Sequence, residues 1–214
     1  MIDCVLFDLD GTLADTAPDL AAALNRMRTA RGMRLIEVGD VRRHVSSGSP
    51  GMLKLAFGLA PESPDYERYR LEFSCNYESA VFEHSRLFNG VLEVLDHLDA
   101  QAIQWGVVTN KATRFAAPLM TGLGLAPRAA CLVYADTTPH MKPHPAPLLH
   151  GAQACGVAPA RCVYVGDDLR DVQAGRAAGM RTVAVTWGYA DSDPRDWGAD
   201  EVVDTPADLV RVLA

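Results

Sequence analysis

Short apolar runs separated by helical patterns constrain this chain more than any other feature of its sequence. They are Cys4–Phe7, Trp105–Thr109, Cys131–Tyr134, Cys162–Val165, Thr182–Val185 and, least marked, Glu201–Val203. Strands that read as near-continuous apolar runs are those of parallel sheets covered on both faces. Helical segments lie between them. Val91, Leu95 and Leu98 share one helical face. Residues 145–154 open on helix-tolerated prolines and stop before Gly156, and residues 168–178 stop at Gly179. The alternation predicts an α/β fold with a doubly wound parallel sheet.

One stretch interrupts the rhythm. Between Pro18 and Glu83 no strand pattern is present. Leu20, Leu24 and Met27 share a helical face, and Tyr66, Tyr69, Phe73 and Tyr77 share another. The stretch Ser47–Gly51 reads as a loop between helical pieces. An insert this long after the first strand reads as a small all-helical domain rather than a crossover. The expected division is a core of residues 1–15 and 86–214 around a helical domain of residues 16–85.

Composition excludes several function classes. The net charge is -7 and the sequence pI about 5.3, without the basic footprint of a nucleic-acid or anionic-membrane binder. Small anionic ligands remain open, because local groups hold them. Residues 16–85 carry nine basic and nine acidic side chains, so the excess acid belongs to the rest of the chain. No apolar run approaches the roughly 18 residues of a membrane span. The amino terminus has no basic segment followed by an apolar one. The five cysteines include no CxxC pair, and Cys4, Cys131 and Cys162 lie in apolar runs. Reduced thiols in a cytoplasmic protein are the expectation.

The first strand runs into Asp8-Leu9-Asp10-Gly11-Thr12-Leu13-Ala14-Asp15-Thr16. Asp8 and Asp10, two residues apart, point the same way if the extended backbone persists. Two carboxylates that close repel unless a cation lies between them or one holds a proton. Gly11 permits a sharp turn and a close approach of backbone N–H groups to an anion. Other polar groups stand at the ends of later strands: Thr109-Asn110 at the end of Trp105–Thr109, and Asp167, Asp168 and Asp171 after Cys162–Val165, with Lys142-Pro143 in a loop. Ligands bind at the carboxyl edge of open α/β sheets. Gathered there, these groups suit a phosphomonoester. A carboxylate can attack phosphorus, a second can move the leaving-group proton, and a hydroxyl and an ammonium can hold the non-bridging oxygens.

The ordered set resembles the signatures of the haloacid dehalogenase (HAD) superfamily in its phosphatase form. Asp8–Thr16 is similar to the first motif, Thr109-Asn110 to the second, Lys142-Pro143 to the third, and Gly166-Asp167-Asp168-Leu169-Arg170-Asp171 to the fourth. The resemblance implies a Rossmann-like core with an α-helical cap inserted after the first strand. It implies Asp8 as nucleophile and Asp10 as general acid and base. Thr109, Asn110 and Lys142 would bind phosphate. Mg²⁺ would be held by Asp8, the Asp10 backbone carbonyl and Asp167. Asp168 and Asp171 would stand behind these groups, although Asp168 reads equally as a helix N-cap. Cap closure would exclude water, with hinges near residues 16–18 and 83–89.

Asp10 argues for phosphoryl transfer over dehalogenation, which needs no leaving-group proton. Strings such as His84–Phe88, Arg114–Ala116 and Trp197–Asp200 resemble the bacterial N-acetylmuramic acid 6-phosphate phosphatases, within a phosphoglycolate phosphatase-like branch. The implied partner is a small phosphorylated metabolite, best N-acetylmuramic acid 6-phosphate, with phosphoglycolate as the alternative. A sugar phosphomutase and a non-catalytic phospho-aspartate signalling domain are further readings. A monomer or homodimer is expected. Asp15 and Thr16 read as caps of the helix near Pro18. His140 and His144 read as structural or solvent-facing, Arg170 as solvated, and residues 187–189 as a turn.

Overall fold

In the computed structural model, which describes residues 2–213, the apolar runs form one sheet. The first element is β1 (Cys4–Phe7), followed by the short β2 (Ala14–Asp15). Four helices come next: α1 (Ala17–Thr29), α2 (Val38–Arg42), α3 (Gly48–Phe57) and α4 (Tyr66–Glu78). The chain continues through β3 (Arg86–Leu87), α5 (Val91–Ala100), β4 (Gln104–Val108), α6 (Thr113–Gly122) and β5 (Cys131–Val133). It ends with α7 (Ala146–Ala154), β6 (Cys162–Gly166), α8 (Leu169–Ala177), β7 (Arg181–Val185), β8 (Glu201–Val203) and α9 (Pro206–Leu213).

The main sheet has six strands in the order β5-β4-β1-β6-β7-β8, all paired in parallel, while β2 and β3 form a separate two-stranded sheet. Strand order reverses direction about β1, as expected for a doubly wound sheet. Pleating explains why the strands are apolar throughout. Val5, Phe7, Trp105, Val107, Val163 and Val165 enter one core with residues of α5, α6 and α9. Their alternates Cys4, Leu6, Cys162 and Tyr164 enter a second core with residues of α7 and α8. Both faces are covered, so neither set of alternating positions can be polar without cost.

The chain divides into two compact units, one of residues through Asp15 and from Leu87 onward, the other Thr16–Arg86. The second unit is built from α1–α4. Leu20, Leu24 and Met27 are buried on α1, and Tyr66, Phe73 and Tyr77 on α4. Tyr69 departs from its stripe. It is only half-buried, edge-on to Phe57 at 4.8 Å, with the Arg31 guanidinium 4.5 Å from its ring centroid. Arg31 also chelates Glu72 through bonds of 2.8 and 2.6 Å. Asp19 on α1, with no exposed surface, accepts hydrogen bonds from the Glu83, His84 and Ser85 amides and from the Ser85 hydroxyl.

The expected loop at Ser47–Gly51 is corrected: Gly48 to Gly51 form the first turn of α3. Proline is tolerated there, where its missing N–H has no helical partner to lose. Gly51 leaves room for Ser47, whose Cβ would lie 2.3 Å from a Cβ at position 51. The expected capping of α1 is also corrected. Thr16 occupies the N-cap position without a side-chain capping bond, and Asp15 accepts from the Tyr189 hydroxyl at 2.7 Å. Among the described residues, no helix is long and apolar enough to cross a membrane.

Candidate active site

Three adjacent strands deliver the first groups. Asp8 follows β1, and its N–H continues the ladder to Val165 O at 2.9 Å. Thr109 follows β4, its N–H bonded to Val133 O at 2.9 Å, and Asp167 follows β6. These positions lie just past the carboxyl ends of β4, β1 and β6, neighbours in the sheet. The chain after Asp8 turns back at once: the Leu13 and Ala14 amides both donate to Leu9 O, and Gly11 N donates to Ala14 O. Gly11 takes a φ of 86°, and a Cβ there would fall 2.1 Å from Asp167 Oδ2. Only glycine meets both conditions.

Asp8, Asp167 and Asp171 each offer an oxygen, all within 4.8 Å of one another. Asp167 is buried and accepts from the Thr12 hydroxyl at 2.9 Å and the Tyr189 amide at 2.7 Å. Burial, then the Asp8 and Asp171 charges, push its carboxyl well above the usual carboxylate range despite these bonds. Burial likewise pushes Asp171 up to about 7, against the pull of the Lys142 ammonium.

Lys142 is the cation at the centre of this cluster, with a 3 % exposed side chain. Its Nζ lies 2.9 Å from Asp8 Oδ1, 2.8 Å from Asp171 Oδ1 and 2.7 Å from the Tyr164 hydroxyl. Burial opposes the charge, but Asp171 and Asp8 outweigh it and hold the ammonium well above the usual lysine range. Asp8 Oδ1 is buried and, although beside Lys142, makes no directed hydrogen bond. A buried carboxylate oxygen that is ion-paired but carries no directed hydrogen bond suits a group that must bond to something else.

The remaining expected residues divide. The Thr109 hydroxyl is buried at the strand end and accepts from Lys111 N at 3.1 Å. The Asn110 side chain bonds the Lys142 backbone: Oδ1 accepts from Lys142 N, and Nδ2 donates to Lys142 O, both at 2.9 Å. Two such bonds clamp the Lys142 loop to the end of β4. Asp168 resolves as a helix N-cap. It accepts from Arg170 N at 2.8 Å and forms a capping box with Asp171, whose Oδ2 accepts from Asp168 N. Hydrogen bonds from Arg170 overcome burial and keep the Asp168 carboxyl low. Arg170 is drawn back onto Asp168. His140 and His144 stack at 4.1 Å, and no group of three candidate metal ligands among the described residues includes them.

Sequence reasoning missed several neighbours. Lys111 Nζ donates to Asp10 Oδ1 at 2.8 Å. Residues 187–189 do more than turn. Trp187 Nε1 donates to Thr12 O at 3.1 Å, and a Cβ on Gly188 would fall 2.3 Å from Asp167 Oδ2. Tyr164 was concealed inside an apolar strand. Its one signal was a hydroxyl at a position where the face is otherwise aliphatic or thiol.

The haloacid dehalogenase-like hydrolase family profile matches residues 2–179. The chain belongs to that family. A relative from Pseudomonas putida, named N-acetylmuramic acid 6-phosphate phosphatase, is 44 % identical over 98 % of this chain and 95 % of its own length. A Xanthomonas campestris relative named phosphoglycolate phosphatase is 45 % identical over 96 % of this chain and 93 % of its own. A solved structure titled as a predicted phosphoglycolate phosphatase, from Haemophilus somnus, superposes with a TM-score of 0.87 at 27 % identity, covering 100 % of this chain and 98 % of that one. With the family established and its relatives named as phosphatases, this HAD-like chain is a phosphatase.

Proposed function

We propose that the chain is a Mg²⁺-dependent phosphomonoester hydrolase that works through an aspartyl-phosphate on Asp8. The observation that carries this reading is the Asp8 Oδ1 atom: buried, without a directed hydrogen bond, and 2.9 Å from the Lys142 ammonium. The clustered carboxylates fit a divalent metal, because Asp167 is pushed up chiefly by burial and then by two acidic neighbours. Asp8, Asp167 and the Asp10 backbone carbonyl would hold Mg²⁺, which favours hard oxygen ligands. Bound there, it supplies positive charge that offsets the repulsion between Asp8 and the phosphate.

A carboxylate oxygen of Asp8 bonds to phosphorus as the ester P–O bond breaks. Asp10 gives its proton to the departing oxygen. Asp10 then takes a proton from water, whose oxygen attacks the same phosphorus. The Asp8–phosphorus bond breaks, releasing inorganic phosphate and restoring both carboxyls. Lys142 and Thr109 hold the non-bridging oxygens. Asp171 and Asn110 hold Lys142 in place. The helical unit Thr16–Arg86 serves as the cap.

The substrate we infer is N-acetylmuramic acid 6-phosphate, supported by the names of the two Pseudomonas relatives. The Xanthomonas relatives support phosphoglycolate as the second reading. Side-by-side kcat/KM for these two esters and a hexose phosphate separates them. EDTA and Asp8→Asn are each expected to abolish turnover. Robust turnover by purified Asp8→Asn excludes the nucleophile assignment.

A further inference from the structure

Tyr164 takes no part in the bond-making and proton-transfer steps, yet it sits against the site's central cation. It belongs to β6 and is 1 % exposed. Burying a phenol is costly unless its hydroxyl finds partners. Here the oxygen accepts from Lys142 Nζ at 2.7 Å, and its proton goes to Val108 O at 2.7 Å. Val108 is the last residue of β4, immediately before Thr109. One hydroxyl therefore links Lys142 and Thr109, the two groups assigned to the non-bridging oxygens, and a role for it in turnover rests on the phosphatase reading of the site.

The donor count of Lys142 gives the link a purpose. An ammonium has three N–H bonds and rotates readily about its stem. Asp171 and Tyr164 accept hydrogen bonds from it, while the approach to Asp8 is close without being directed as one. Two fixed acceptors determine the rotation of the ammonium, and the third N–H is the one a ligand can take. A single acceptor would leave the other two N–H bonds to rotate about it. Tyr164 also does this without charge. A further carboxylate in its place would orient Lys142 but would repel an incoming phosphate.

We propose that Tyr164 is a positioning residue for phosphoryl transfer. It sets the rotation of the Lys142 ammonium and registers it to the strand end that carries Thr109, so that one N–H is kept for the transferring group. Misplaced donors cost most where charge develops, so the loss should appear in kcat rather than KM.

A double-mutant cycle tests this, using p-nitrophenyl phosphate and Mg²⁺ with Tyr164→Phe, Lys142→Met and the pair. Tyr164→Phe is expected to lower kcat about 10- to 100-fold with KM within about 3-fold. In the Lys142→Met background the same change is expected to alter kcat less than about 2-fold. Equal losses in both backgrounds, or an unchanged kcat in Tyr164→Phe, overturn the proposal. Tyr164→Gln keeps an acceptor and a donor but fits the apolar slot worse. It is expected to retain more turnover than Tyr164→Phe, an order that packing alone would reverse. Absence of turnover in the wild-type protein would overturn the phosphatase reading and this proposal together. Turnover with additive losses overturns this proposal alone.

Discussion

The ammonium of Lys111 lies 2.8 Å from the carboxylate of Asp10, and the two side chains are only 9 % and 16 % exposed. The Lys111 backbone is pinned as well, its N–H on Thr109 Oγ1 and its carbonyl accepting from Ala135 N. A shielded ion pair so anchored fixes where the Asp10 carboxyl can point. Lys111→Met is expected to lower kcat about tenfold or more, with Lys111→Arg recovering part of the loss. Steady-state kinetics on an aryl phosphate measure it. Equal activity in wild type and Lys111→Met would show that Asp10 needs no such hold.

The acidic cluster should make the metal-free protein sensitive to pH. Asp167 and Asp171 both titrate above the ordinary 3.8 in the folded state, Asp171 at about 7. The folded protein then binds more protons than the unfolded chain over that range. Stability from both groups is complete below about pH 4; that from Asp171 is lost as pH rises through about 7, and that from Asp167 as pH rises well above the ordinary carboxylate range. Asp167→Asn removes one titration, so in EDTA its melting temperature should gain on that of the wild type as pH rises. Mg²⁺ should reverse the trend by stabilising the ionised wild-type cluster. Melting curves from pH 4 to pH 8, with and without Mg²⁺, provide the comparison. A pH-independent difference in EDTA would contradict it.

Gly188→Ala places a Cβ 2.3 Å from Asp167 Oδ2, 2.4 Å from Asp167 Cβ and 2.5 Å from Gly11 O. No rotamer change relieves contacts with backbone and Cβ, so Asp167 or the 187–189 segment must shift. Because a misplacement of about 1 Å can cost about 100-fold in rate, a loss of that order in kcat/KM is expected. Isothermal calorimetry should show weakened Mg²⁺ binding alongside it. Normal metal affinity in Gly188→Ala would argue that Asp167 is not a ligand.

Asp19→Ala leaves the Glu83, His84 and Ser85 amides and the Ser85 hydroxyl without their acceptor. Stranding these donors, the two of Ser85 buried and the Glu83 and His84 amides part-buried, should destabilise the Thr16–Arg86 unit by about 3 kcal/mol. Ser85→Ala removes one bond and should cost about 1 kcal/mol. Urea unfolding gives both numbers. Similar costs for the two variants would mean the backbone amides find other partners.

Much of the fold and the site is legible in the sequence because it is local. A buried parallel strand announces itself as an apolar run, and the residue after it lies at the ligand-binding edge. Spacing alone therefore puts Asp8, Thr109 and Asp167 at one edge of the sheet. The helical unit is legible from the absence of strand pattern. Local pattern also misleads. Gly and Pro at 48–51 suggest a loop, but proline and glycine are tolerated in a first helical turn. Thr16 stands where a capping residue should, yet makes no capping bond.

By itself, the sequence determined the strand–helix alternation, the doubly wound class and the strand ends that carry the acids, since each follows from spacing within a few residues. Tertiary structure alone decided the partners. Lys111 reaches Asp10 across 101 residues, Tyr164 reaches Lys142 across 22, and the Ser85 hydroxyl reaches Asp19 across 66. It also tied the Asn110 side chain to the Lys142 backbone and made Asp168 a cap. A side chain's type fixes which bonds it can make. Which bond it does make depends on what the packed sheet brings within about 3 Å of it.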